Sequence, residues 1–207
     1  MSVWVVTKLV SHMLRLNLAL AVVLTLWTPF EAQATCKQVK AESDLVGIRI
    51  ADEASSARIL GPSRELPSEQ DKTTDGADSD FPFVRIRSAD GKQDAKLFEH
   101  YGAVVGAYSE IEVRSADPTK VAAKQLATNE LSTERGVKLG MRRAELVRLL
   151  GPCFRRERGK AGEAIIVYAI TDPKHVLLTR SGMPSYFAHY AFMNDRLAWF
   201  RFGFEYP

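Results

Sequence analysis

Gly47-Ile48-Arg49-Ile50 and Gly136-Val137-Lys138-Leu139 stand 89 positions apart and carry the same order of small, apolar, basic and apolar residues. Each runs into a short stretch of helical composition that ends in Leu-Gly-Pro, at Leu60-Gly61-Pro62 and at Leu150-Gly151-Pro152. Further on, Phe98-Glu99-His100-Tyr101 matches Phe187-Ala188-His189-Tyr190 at the same shift of 89. The Leu-Gly-Pro pair needs 90, so one residue was gained or lost within the helix. Such self-similarity dictates architecture, because two copies of one unit build the same supersecondary structure twice. The expected class is α+β: two tandem repeats, each a short helix packed on an antiparallel sheet of three to four strands. The first repeat covers residues 35–116 and the second 134–207, joined by a partly helical linker at 117–133.

The elements of each copy follow from pattern and punctuation. Val46–Ile50 and Gly136–Leu139 read as extended pieces leading into helices. Asp52 suits the N-cap of the first helix, its carboxylate accepting from free backbone N–H groups. Arg142–Leu150 places Leu146, Val147 and Leu150 on one side and Arg142 and Arg148 on the other. Gly-Pro then ends both helices, since glycine permits a left-handed cap and proline cannot continue the bonding. Phe83–Arg87 and Ala95–Tyr101 form a hairpin through Asp90-Gly91, followed by a strand at Tyr108–Arg114. In the second copy, strands are expected at Ala164–Ile170, His175–Arg180, Tyr186–Phe192 and Leu197–Phe204. Pro67–Asp80 is a polar loop. Asp117-Pro118 could start a linker helix running to about Thr128.

The first 34 residues have the features of a secretory signal peptide: Lys8 and Arg15, an uncharged apolar run from Leu16 to Trp27, and Ala32-Gln33-Ala34. Cleavage after Ala34 is expected, with Met1 or Met13 as the start, and the address is periplasmic or secreted. A retained membrane anchor is the alternative, although the run is short for a span of about 20 apolar residues. The two cysteines, Cys36 and Cys153, both follow the cut. In an oxidising compartment such a pair is expected to be bridged, contributing about 4–5 kcal/mol in the chain-entropy account. The competing reading makes Cys36 a lipid-attachment site, but Gln33-Ala34-Thr35 lacks the usual Leu and small-residue pattern. Net charge is only +3, so no nucleic-acid surface is expected. Membrane contact is expected only if Cys36 is lipidated, and the chain is read as a monomer.

The run Gly136-Val137-Lys138-Leu139-Gly140-Met141, with Leu146-Val147 and Leu150-Gly151-Pro152, resembles the helix-opening segment of the β-lactamase-inhibitor-protein fold. The same fold occurs in small outer-membrane assembly lipoproteins of the SmpA/OmlA type. Arg142 stands where members usually carry Ser or Thr, and the first copy has Ala51-Asp52 in place of Gly-Met. The resemblance implies helices on one face of a curved antiparallel sheet, with the open face and loops binding protein surfaces.

Candidate chemistry is sparse. His100 and His189 match in the repeat, yet neither has the further ligands that a zinc site needs, and both are read as structural strand residues. No Gly-x-Ser-x-Gly elbow or phosphate-binding glycine loop is present. Glu110 and Glu112 alternate on one strand and read as a solvated face. No catalytic residue, metal or cofactor is expected. Under the 89-residue shift, Ile111 and Val113 correspond to Phe200 and Phe202, which should therefore be core, turning Trp199 and Arg201 outward. Trp199 and Arg201 are the leading partner-binding candidates, with Tyr101, Tyr108 and Tyr190 extending the patch; Trp199 could equally bury a seam between the copies. The function expected is a non-enzymatic protein-binding module, of inhibitor or immunity-like type. An envelope assembly or structural accessory is the alternative, and a hydrolase with a non-contiguous site a third.

Overall fold

The structure is a computed structural model that describes residues 39–207 apart from 63–64, 70–80, 101 and 206–207. Residues 1–34, read above as a signal peptide, Cys36, Tyr101 and most of the polar loop lie outside the described residues. The described residues belong to one compact unit.

A two-residue hairpin opens it, β1 (Asp44–Leu45) and β2 (Ile48–Arg49), followed by α1 (Glu53–Leu60). Then come β3 (Phe83–Arg87), β4 (Gln93–Phe98), β5 (Glu110–Ser115) and the short β6 (Lys124–Gln125). The remainder is α2 (Arg143–Leu150), β7 (Arg155–Arg158), β8 (Ala164–Ile170), α3 (Val176–Ser181), β9 (Ser185–Met193) and β10 (Arg196–Glu205). Eight strands make one sheet in the order β6-β3-β4-β5-β10-β9-β8-β7. All neighbours are antiparallel except β3 and β6, which run parallel.

Local chemistry sets the helix ends. The Asp52 carboxylate accepts from the Ser55 backbone N–H at 3.2 Å, capping α1. At α2 the reciprocal half of a capping box does this work: the Arg142 backbone N–H donates to the Glu145 carboxylate at 2.9 Å. Glu145 thus ties down the first turn although Arg142 has replaced the usual hydroxyl residue. Gly61 and Gly151 end the helices at φ 86° and 91°, and their N–H groups donate to Ala57 and Val147 at 2.9 and 2.8 Å.

The helices lie on one face of the sheet. Leu60, Leu146, Leu150 and Leu178 join Ile111, Val113, Tyr168, Tyr190, Phe200 and Phe202 in one apolar core. Phe200 and Phe202 are fully buried, as expected from their match to Ile111 and Val113. Their rings lie nearly parallel, at 8° and 6.4 Å between centroids, and Tyr190 stacks on Phe200 at 6.2 Å.

Three expectations are corrected. His175–Arg180 is not a strand: Val176–Ser181 is α3, because the His175 Nδ1 caps it by accepting from the Leu177 N–H at 3.2 Å and Gly182 closes it in the left-handed conformation. The linker 117–133 holds no helix. Asp117 instead accepts from the Thr119 N–H at 2.9 Å and hydroxyl at 2.7 Å, making a turn. Downstream, the Ala123 and Leu126 N–H groups are taken by Arg85 and Arg87 carbonyls along β3. Third, His100 and His189 are not equivalent, since His100 follows the end of β4 whereas His189 sits within β9. Phe98 pairs with Glu110 on β5, but Phe187 pairs with Gly203 on β10 and not with Trp199, so this match is four residues out of register.

Asp52→Ala should cost about 1 kcal/mol, with Asp52→Asn retaining most of the stability, measured by denaturant unfolding at neutral pH.

Candidate functional site

Strand alternation sends a second set of side chains to the face away from the helices. Across β3, β4, β5, β10, β9 and β8, the central row reads Arg85, Lys96, Glu112, Arg201, His189 and Val167. The row beside it reads Arg87, Asp94, Arg114, Trp199, Ala191 and Ile165, and the other flank carries Phe83, Phe98, Glu110, Gly203, Phe187 and Ala169. Phe83, Phe98, Val167 and Ala191 are buried yet lie outside the helix-side core, as this second face requires.

Glu110 and Glu112 are buried, 4% and 3% exposed, rather than solvated. The reason is register, which sets cations against both acids. Arg201 Nε donates to Glu110 Oε2 at 2.7 Å, and His100 Nε2 meets Glu110 Oε1 at 2.6 Å. Phe81 stacks on the His100 ring at 3.9 Å. Glu112 is held by Arg114 at 2.7 Å and Lys96 at 3.9 Å. Towards β3, Arg87 makes two parallel bonds to Asp94 at 2.6 and 2.8 Å, and Arg85 two to Glu69 at 3.1 and 3.0 Å. Bidentate geometry of this kind is the strong form of the carboxylate–arginine pair.

Arg201 is the hub. Its guanidinium bonds Glu110 and lies over the Phe98 ring at 4.8 Å and the Phe187 ring at 5.9 Å. With its side chain 13% exposed, it clamps the centre of the sheet and offers little to a partner. Gly203 makes the clamp possible. A Cβ there would come within 2.5 Å of the Ser109 carbonyl oxygen and 2.7 Å of the Glu110 Cα. The carboxylate of Glu110 reaches Arg201 across the space that this missing side chain leaves.

The remaining candidates separate sharply. Trp199 is half-buried, between Arg114 on β5 and the small Ala191 on β9. Tyr108 and Tyr190 are fully buried on the helix side, with no surface for a partner, and Tyr101 lies outside the described residues. Residues that sequence reasoning missed are Phe187 and His189, half-buried, and the exposed Arg114 and Ala169. Alternation along β9 was the signal for the first two: Phe187 and His189 take the face opposite Tyr186 and Tyr190. Burial pulls the pKa of His189 below its usual value, the neighbouring Arg201 and Arg155 adding to the effect against Glu157 and Glu205. His189 is therefore carried as the neutral imidazole at pH 7.

Among the described residues no group of three His, Cys, Asp or Glu side chains could hold a metal ion. None of the described helices is long and apolar enough to cross a membrane. No family model, curated protein or solved structure matches the chain.

Gly203→Ala should destabilise the fold by about 1–3 kcal/mol, as overpacking against backbone does. Gly61→Ala should act differently, through a strained positive φ and not through a clash. Thermal unfolding of the pair, with crystal structures to locate any shift of β5, checks the assignment.

Proposed function

We propose that the chain is an exported, non-enzymatic binding module that docks a protein surface on the sheet face opposite its helices. The observation that carries this reading is the composition of that face over β5, β10, β9 and β8. Trp199, Phe187 and His189 sit half-buried on the sheet face away from the three described helices, ringed by Arg114, Arg155 and Ala169. Aromatic side chains beside arginine supply large contact area together with directed polar bonds, the usual make-up of binding hot spots. The charged groups beneath are already paired, so the face is rigid and little ordering is needed on docking.

The same reading includes a duplication. Both eight-residue helices run into Leu-Gly-Pro, α1 at Glu53–Leu60 and α2 at Arg143–Leu150, a shift of 90. At the sheet centre, a shift of 89 maps the pair Glu112–Arg201 onto itself and exchanges Glu110–Gly203 with Arg114–Trp199. A two-fold axis between β5 and β10 demands that behaviour. The edges agree: Glu69 bridges Phe83 on β3, and the same axis carries Phe83 onto Ile165 of β8, which pairs with Glu157. Two copies would then join edge to edge through β5 and β10, each adding three antiparallel strands. Export with removal of residues 1–34 and a Cys36–Cys153 bridge belong to the same proposal. The bridge fits Cys153, which is not a free thiol, and a fold of the β-lactamase-inhibitor-protein type is proposed with it.

Trp199→Ala should abolish capture of a protein partner from envelope extracts while moving the melting temperature by no more than about 2 °C. Unchanged capture would sink the face as a docking site. A large loss of melting temperature would make Trp199 a packing residue instead.

A further inference from the structure

The segment before β1 crosses onto the second half of the chain. Lys40 Nζ donates to the Leu149 carbonyl at 3.4 Å, Arg135 Nε to the Ala41 carbonyl at 3.3 Å, and Ser43 Oγ to Glu134 at 3.3 Å. The Glu42 backbone N–H donates to the Tyr186 hydroxyl at 3.0 Å. These are ordinary tethers. The Glu42 side chain is not ordinary: it is fully buried, and neither carboxyl oxygen has a hydrogen-bond partner of normal geometry among the described residues.

Its surroundings come from two elements. From β9, Tyr186 and Tyr190 are fully buried, and the Tyr190 hydroxyl also lacks a partner among the described residues. From the 132–137 loop come the Thr133 hydroxyl, Glu134 and Arg135, whose guanidinium stands 3.9 Å away and is itself 42% exposed. A half-solvated arginine at that distance is a weak counter-ion, and the Thr133 hydroxyl and Arg135 backbone N–H, both outside normal hydrogen-bond geometry, only partly offset the burial of an ionised carboxylate. The neutral acid fits better, since it carries no charge and gains a donor.

We propose that the 39–43 strap is a proton-operated latch, seated with Glu42 as the neutral acid and loosened as the surroundings rise from acid to neutral pH. Lys40, Ala41 and Ser43 also wall a surface groove of about 390 Å³ with Arg135, Leu177 and Arg180. Seating of the strap therefore fixes the shape of that groove, and loosening opens it. The direction of the pH effect follows from the proton. Burial, helped by Glu134 and opposed by Thr133 and Arg135, raises the Glu42 pKa from 4.5 to about 7. Between those values the seated form keeps a proton that the loose form has lost. The strap's contribution is whole below about pH 4.5, falls as pH rises towards 7, and is level above it.

The test compares the wild-type chain with Glu42→Gln, a neutral isostere of the seated acid. Denaturant unfolding across this range should show the wild-type unfolding constant rising by roughly a hundredfold relative to that of Glu42→Gln. At about pH 8, trypsin should cut after Lys40 faster in the wild type than in Glu42→Gln. Isotope-edited infrared spectra of the folded wild type at about pH 6 should retain one neutral carboxylic-acid band. Parallel unfolding profiles, equal cleavage rates, or no such band would each overturn the latch. The infrared measurement decides alone should the variant fail to fold.

Discussion

The antiparallel pairing of β5 with β10 is the contact on which the rest of the structure depends. It joins the strands that precede α2 to those that follow it, and it sits in the middle of the eight-stranded order. Both faces of this pair are filled, but by different chemistry. On the helix side Ile111 and Val113 meet Phe200 and Phe202, all fully buried. On the other side Glu110 and Glu112 meet Arg201 and Arg114. The apolar side supplies the driving force, while the ionic side fixes register. Sliding β10 by two residues would keep its aromatic rings inward but part Arg201 from Glu110 and bring a side chain to where only Gly203 fits.

That division explains why the second face is both polar and buried. Long arginine and lysine stems cover the sheet while their charges find carboxylates, so most of these charges are neutralised in place. The half-buried side chains of this face lie on β10 and β9, where Trp199, Phe187 and His189 stand with fewer charged neighbours. The two sheet edges are also treated differently. β3 is covered by Glu69 at one end and β6 at the other, whereas β7 is an exposed strand of Arg155, Arg156, Glu157 and Arg158. Charge along an edge strand discourages unwanted pairing, and like charges would oppose self-association there.

Much of the helix-side core was legible in the sequence. The shift from Ile111 and Val113 to Phe200 and Phe202, with alternation, placed both pairs inward, and Leu-Gly-Pro marked both helix ends. The misreadings share a cause. Alternation gives the face of a residue but not its cross-strand neighbour, so Glu110 and Glu112 read as solvated until register set Arg201, Lys96 and Arg114 against them. Arg201 read as an anchor for a partner for the same reason. The Phe-x-His-Tyr match misled because short similarities can recur out of register. α3 escaped because its apolar run is too short to show a period, and its decisive features are the His175 cap and the left-handed Gly182.

Native-state hydrogen exchange of the backbone amides in β5 and β10 tests most directly whether the central pair holds both halves as one cooperative unit. Amides at 110–115 and 199–204 should exchange together, only through global unfolding, and show the same dependence on denaturant. If the amides of one strand exchange at a lower free energy than the other, the two halves open separately, and the central pairing is not what holds them together.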